Sequence, residues 1–332
     1  MKKAAIIGAT TWGSTLGKML ATRGVEVTLW ARTEAEAEAL KSKEQNLPQL
    51  AEKSSCFSIT TGIDKVLDSA EVVFYAVPSQ RLRQNVRLTA PFLGNSMILV
   101  SAAKGLEAES GKRMSEVMGE EVPFVLKERI CALSGPNLSR EINQGLPATS
   151  VVASRNIGVA KQVQGLLDCP DFSVYVSDDI VGVELCGALK NVIALGAGML
   201  DGLGLGNNAK AAFITLGWNE VVKLGLALGA KISTFYGIAG LGDLIATGNS
   251  PLSRNYSVGY EVGKGKPLSE VRASMTQVVE GIDTTIAAYR LVSKLRLEAP
   301  IIDLIYGVLF ESLAPAEIAK RFKDGLKPDE VL

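Results

Sequence analysis

The chain has 332 residues, of which 47% are hydrophobic and 33 are glycine, so it is long for one core and fits a globular protein of two domains. Lys plus Arg and Asp plus Glu balance at 35 each, and no stretch is strongly basic, which argues against nucleic acid as the main partner. Histidine is absent, so the commonest general base, a histidine-dependent nucleophilic triad and histidine metal sites are excluded.

Ala4–Ile7 is a short apolar run ending at Gly8, as expected of a buried parallel strand. Gly8-Ala9-Thr10-Thr11-Trp12-Gly13 follows, then a helical spacing of Leu16, Met19 and Leu20 closed by Gly24, then a strand over Val25–Trp30. Strand, glycine turn, helix and strand within about 30 residues form the βαβ unit that holds a dinucleotide, with the pyrophosphate at the helix N-terminus. The G-x-G-x-x-G fingerprint has its first and third glycines (Gly8 and Gly13) but Thr10 at the second. A β-branched residue there is expected to crowd the pyrophosphate or shift the loop. An NAD-binding unit usually places an acidic residue at the end of the second strand. Here the strand ends Trp30-Ala31-Arg32-Thr33, with Glu34 two residues late, and Arg32 suits the 2′-phosphate of NADP.

Further strands are predicted at Glu71–Val77, Met97–Ser101 and Ile130–Leu133. Lys104 follows the second of these and Ser134-Gly135-Pro136-Asn137 the third, at the carboxyl edge where ligands bind in doubly wound sheets. Thr149–Ala153 and Phe172–Val176 read as two late strands around a helix over Gly158–Leu167, and the first domain is expected to end at residue 179. From residue 180 to 332 strand signals almost vanish and helices predominate, with Pro267, Pro300 and Pro315 at helix starts. The fold class is therefore an N-terminal Rossmann-type doubly wound α/β sheet (1–179) followed by an all-α domain (180–332).

In the first of those helices Leu185, Leu189, Val192 and Ile193 recur at helical spacing, with Lys190 and Asn191 among them. Such a lysine either snorkels to water along apolar neighbours or is buried with a paired charge or a lowered pKa. Asp201, in the glycine-rich stretch that follows, reads as a turn or cap residue rather than a metal ligand. No carboxylate cluster has metal-ligand character, so no metal is expected. Ser253-Arg254-Asn255 opens a helix whose free N–H groups, with the planar fork of Arg254, suit a phosphate. No apolar run reaches the 18 or so residues of a membrane span, the run after Lys2 and Lys3 is too short for a secretory signal, and the four scattered cysteines read as reduced thiols, so a cytoplasmic protein is expected.

Nine motifs together resemble the bacterial NAD(P)-dependent glycerol-3-phosphate dehydrogenases. They are Gly8–Gly13, Val77–Gln80 (V-P-S-Q), Lys104–Glu107 (K-G-L-E), Ser134–Asn137 (S-G-P-N), Glu184–Val192 (E-L-C-G-A-L-K-N-V), Asp201–Lys210 (D-G-L-G-L-G-N-N-A-K), Gly240–Leu244 (G-L-G-D-L), Ser250–Asn255 (S-P-L-S-R-N) and Val278–Gly281 (V-V-E-G). The resemblance covers essentially the whole chain. It implies NAD or NADP as cofactor, dihydroxyacetone phosphate and sn-glycerol 3-phosphate as substrates, a role in phospholipid synthesis, a homodimer, and a site in the cleft between the two domains. It implies Lys190 as the proton acceptor. Substrate contacts are implied for Lys104, Gly135, Asn137, Lys190, Asp243, Ser253, Arg254 and Asn255. Cofactor contacts are implied for Gly8, Thr11, Trp12, Gly13, Arg32, Lys104, Ser139, Arg254, Val278 and Glu280. Besides Thr10, the chain departs from the family at Leu216, Gly248 and Tyr256, the last standing where a basic residue is common. Two other readings are a reductase of the ketopantoate or 3-hydroxyacid type, and a dinucleotide sensor that has lost catalysis.

Overall fold

The computed structural model describes residues 3–45, 56–275 and 277–323. The chain divides into two compact units, Met1–Ala103 with Met114–Ile180, and Lys104–Arg113 with Val181–Leu332. A segment from the first half of the sequence thus belongs to the second unit.

The first unit runs β1 (Lys3–Ile7), α1 (Thr11–Thr22), β2 (Glu26–Trp30), α2 (Glu34–Gln45), β3 (Phe57–Thr60), α3 (Ile63–Leu67), β4 (Val72–Tyr75), α4 (Ser79–Thr89), β5 (Ile98–Ser101), α5 (Met114–Glu121), β6 (Ile130–Ser134), α6 (Ser139–Asn143), β7 (Ala148–Ala153), α7 (Ile157–Leu167) and β8 (Phe172–Ser177). The strands form one eight-stranded sheet in the order β3-β2-β1-β4-β5-β6-β7-β8. Every pairing is parallel except β6 with β7. Burial on both faces explains the continuous apolar runs of β1, β4 and β5. Ala4–Ile7 pairs with Val27–Trp30 on one side and with Val72–Tyr75 on the other. The chain leaves β1 in one direction and returns to its other side at β4, so the topological switch lies at the carboxyl end of β1, beside Gly8. The strand β3 lacks an apolar run: it is an edge strand of mixed burial, and periodicity did not reveal it.

The second unit is helical: α8 (Ile180–Gly202), α9 (Gly206–Ala227), α10 (Ile232–Phe235), α11 (Asp243–Gly248), α12 (Arg254–Gly263), α13 (Leu268–Ser274), α14 (Glu280–Leu295), α15 (Pro300–Phe310) and α16 (Ala316–Lys323). Its axis is α8, on which Leu185, Leu189, Val192 and Ile193 are all fully buried. By length and composition alone this helix could cross a membrane: its 23 residues include a window of mean hydropathy 1.6. That window is 94% buried inside the protein, which makes it the core helix of the unit. Glycines let α8 and α12 cross backbone to backbone. A Cβ on Gly198 would stand 2.1 Å from the carbonyl of Tyr256, and one on Gly259 would stand 1.9 Å from that of Leu195. Farther along, α9 supports α15: both carboxylate oxygens of the buried Glu220 accept the N–H groups of Ile301 and Ile302, at 2.7 and 2.9 Å, taking up two of the four donors a helix start leaves over.

Candidate active site

In the first unit the glycine turn is shaped by contacts a side chain would break. Gly8 has φ +124°, and a Cβ there would lie 2.8 Å from the carbonyl oxygen of Ala76; one on Gly13 would lie 2.1 Å from that of Gly8. Thr10 behaves otherwise. It is the N-cap of α1, with extended backbone (φ −86°, ψ 165°) that needs no glycine. Its hydroxyl donates to Ala76 O at 2.8 Å and accepts from Gly13 N at 3.0 Å. The hydroxyl is thus turned into the protein and ties the turn to the end of β4. With Gly13 N–H capped by the threonine side chain and Ser14 N–H donating to Thr10 O, the helix start offers the N–H groups of Thr11 and Trp12 to an anion. The Trp12 ring packs against the first core. These features fit a dinucleotide pyrophosphate.

At the end of β2 the Arg32 side chain is 75% exposed. Its backbone N–H donates to Glu36 at 2.7 Å, and its guanidinium donates to the same carboxylate at 3.2 Å. The acid that the fingerprint lacks at the strand end is thus delivered from the first turn of α2, by Glu36 rather than Glu34. The i, i+4 spacing from Arg32 carried that signal. Glu34 instead accepts from the Thr61 hydroxyl.

Gly135, Asn137 and Ser139 follow β6. Gly135 has φ +140°, and a Cβ there would meet the backbone of Thr149 and Ser150 at 3.0 Å. The Asn137 amide donates to Ser150 Oγ at 3.0 Å, while its buried Oδ1 has no partner within the chain. Ser139 opens α6.

In the second unit the structure brings together Lys104, Lys190 and Asp243. Lys190 is 5% exposed and Asp243 2%. Lys190 Nζ donates to Asp243 Oδ1 at 2.7 Å, and Lys104 Nζ donates to Asp243 Oδ2 at 2.8 Å. One carboxylate therefore bridges two ammonium groups. A second donor bond runs from Lys190 to the hydroxyl of Thr247, one turn along α11 from Asp243. The motif Gly240–Leu244 explains the placement of Asp243. Gly240 packs so tightly on Phe235 that a Cβ would lie 2.3 Å from its carbonyl oxygen, and the π-helical turn Ile238–Gly242 then feeds directly into α11. Burial lowers the Lys190 pKa from 10.5 to about 8; the Asp243 charge opposes the fall and the Lys104 charge adds to it. Of the two alternatives for Lys190, the buried one holds.

Asn255 and Asn191 extend this cluster. Asn255 accepts from the Gly281 N–H at 2.8 Å and donates to Asn191 Oδ1 at 2.8 Å, and Asn191 donates to Lys104 O at 3.3 Å. Gly281 is required there, since its Cβ would lie 2.6 Å from Asn255 Oδ1. Ser253 caps α12, its hydroxyl accepting from Tyr256 N at 3.3 Å. Arg254 donates to Val278 O at 2.7 Å, and Glu280 begins α14. Asp201 accepts from Lys210 at 2.8 Å and from the Tyr256 hydroxyl, so the departure at Tyr256 gives a neutral donor to a carboxylate that already has its cation. Among the described residues no three His, Cys, Asp or Glu side chains group as a metal site. Thr247, Asn191 and Glu36 were not among the expected site residues. Each lies one residue or one helical turn from one that was.

Residues 3–160 match the family described as NAD-dependent glycerol-3-phosphate dehydrogenase N-terminus, and residues 179–320 match its C-terminus. The chain belongs to this family. It is 47% identical to a glycerol-3-phosphate dehydrogenase (NAD(P)+) of Dehalococcoides mccartyi, over 100% of this chain and 93% of that one. With the enzyme of the same name from Pelotomaculum thermopropionicum the identity is 42%, over 95% and 90%. Among solved structures, glycerol-3-phosphate dehydrogenase from Coxiella burnetii superposes with a TM-score of 0.90 at 30% identity, covering 98% of this chain and 99% of that one. A ketopantoate reductase from Ralstonia eutropha, at 15% identity and a TM-score of 0.59 over 96% and 99%, shares the fold alone. This family is one of NAD(P)-dependent oxidoreductases acting on CH–OH groups.

Proposed function

We propose that the chain interconverts dihydroxyacetone phosphate and sn-glycerol 3-phosphate, with Lys190 moving the proton at the C2 oxygen. The observation that carries this reading is the buried pair of lysines on the two oxygens of Asp243. NAD or NADP, when bound, supplies or accepts the hydride. In the first unit Gly8, Gly13 and the start of α1 hold the pyrophosphate, with Thr11, Trp12 and Ser139 around it, and Arg32 with Glu36 meets the adenosine ribose. An acid and a base at one strand end suit both cofactors. In the second unit Lys190 gives up a proton as the ketone is reduced and takes it back in oxidation. Asp243 and Thr247 fix its Nζ, and Lys104 adds positive charge where an alkoxide would develop. Ser253, Arg254 and Asn255 at the start of α12 grip the phosphate, with Gly135 and Asn137 as further substrate contacts. Binding the remote phosphate orients the reacting end. Arg254, Val278 and Glu280 complete the cofactor contacts.

The same reading assigns the product to phospholipid synthesis, the enzyme to the cytoplasm and its assembly to a homodimer; sedimentation of the purified protein tests the last. The deciding assay is dihydroxyacetone phosphate-dependent oxidation of NADH and NADPH. Turnover with this substrate is expected. Cofactor binding without turnover, or turnover with a keto acid alone, overturns the proposal.

A further inference from the structure

Lys104 is carried by the segment Lys104–Arg113, which folds on itself. Leu106 and Arg113 face each other in an antiparallel bridge. Glu107 N–H donates to Lys112 O at 2.9 Å, and Gly111 N–H donates to Glu107 O at 2.8 Å. The segment meets the helices at several points. Leu106 is buried in the second core, Arg290 donates to Ala108 O at 2.8 Å, and Asn191 donates to Lys104 O. A further contact is a buried ion pair: Arg113 Nη1 donates to Glu184 Oε2 at 2.6 Å, and the two side chains are 9% and 5% exposed. Arg113 lies across the bridge from Leu106, and Leu106 is two residues from Lys104. Glu184 lies on α8, six residues and so about 9 Å of helix rise before Lys190. One rigid helix therefore bears both the proton-carrying lysine and the anchor of the segment that brings the second cation.

We propose that the Arg113–Glu184 pair is a positioning device that holds Lys104 on Asp243 and thereby beside Lys190. The inference rests on the roles given above to Lys104 and Lys190. A buried ion pair adds little stability over an apolar pair of the same volume, whereas a planar guanidinium fork fixes direction. Direction is what Lys104 needs. Its stem is long and flexible, and its head must reach one oxygen of a carboxylate whose other oxygen already holds Lys190. The charged groups facing Lys190 are Asp243 from α11 and Lys104 from this segment. If Lys104 swings away, Asp243 acts on Lys190 alone, and the Lys190 ammonium is held more tightly.

The test is a double-mutant cycle of Arg113→Met with Lys104→Met, read as kcat/KM against pH for glycerol 3-phosphate oxidation. Misplacing a catalytic group by about 1 Å costs about 10²-fold, so Arg113→Met is expected to lose about that much and to move the acid limb upward in pH, as Lys104→Met does. The double variant is expected to be no worse than Lys104→Met. Glu184→Gln keeps the side chain's size and carries the same cycle if Arg113→Met fails to melt cooperatively. Losses that add in the double variant overturn the inference alone, as does a wild-type profile in either anchor variant. Wild-type turnover by Lys104→Met overturns the inference and the functional reading together.

Discussion

Replacing Lys190 by methionine tests the site on two independent readouts. In the folded protein Lys190 titrates near 8 instead of 10.5. The gap corresponds to about 3 kcal/mol, at ~1.4 kcal/mol per pH unit, by which folding disfavours its protonated form. The sign follows from proton counts. Between about pH 8 and 10.5 the unfolded chain holds the lysine proton and the folded chain has lost it. Stability must then rise with pH through that window, and the cost is fully present below pH 8. Denaturant unfolding of wild type and Lys190→Met at pH 7, 8, 9 and 10 measures it. The wild type is expected to gain up to about 3 kcal/mol relative to the variant across the series. The kinetic readout uses the same titration. On the role proposed for Lys190, oxidation needs its neutral form, so kcat/KM should climb with a midpoint near pH 8 to a plateau above it, and reduction needs the protonated form and should fall through the same midpoint. Lys190→Met should lower kcat by about 10²–10⁴-fold. A variant within a few-fold of wild type, or a stability difference that does not change with pH, would refute the reasoning.

Glu36→Gln releases the Arg32 guanidinium and removes the acid proposed to meet the ribose; the ratio of kcat/KM for NADPH over NADH should rise by about tenfold, the equivalent of ~1.4 kcal/mol. Thr10→Val keeps the shape and loses both hydroxyl bonds, so Tm should fall with a loss of about 1–2 kcal/mol and dinucleotide titration should show weaker binding. Thr10→Gly, which restores the full fingerprint, should not bind tighter than wild type. Glu220→Gln sets an amide NH2 against one of two helix N–H groups and should cost about 1–3 kcal/mol in chemical denaturation, with kcat of the folded enzyme unchanged.

The strands β1, β4 and β5 were legible because a strand buried on both faces must be apolar throughout, and β8, at one edge of the sheet, because its burial alternates residue by residue. The strand that was not, β3, is a four-residue edge strand with neither an apolar run nor an alternation of buried and exposed residues. The all-helical character of the second half was legible from period and proline placement for the same reason, since burial imposes a pattern along the chain. Site geometry imposes none. That Lys190 and Lys104 share Asp243 depends on three segments far apart in sequence, and spacing along the chain says nothing of it. The role of Thr10 was hidden for a related cause: a fingerprint position specifies space for a backbone and says nothing of the bonds that a side chain there makes to Ala76 and Gly13.

The burial of Lys190 also depends on how the helix that carries it is held. A cation whose pKa burial has lowered would be relieved by any motion that let water in. The helix carrying it therefore has to be held without slack. Backbone contact between α8 and α12 at Gly198, Gly202, Gly259 and Gly263 does this, because main chains locked together have no rotamers through which to yield. The motif Asp201–Lys210 adds a clamp at the far end of α8, where Asp201 joins Lys210 of α9 to Tyr256 of α12. A substitution as small as Gly259→Ala should then raise the pH of the oxidation limb, by loosening α8, before it abolishes folding.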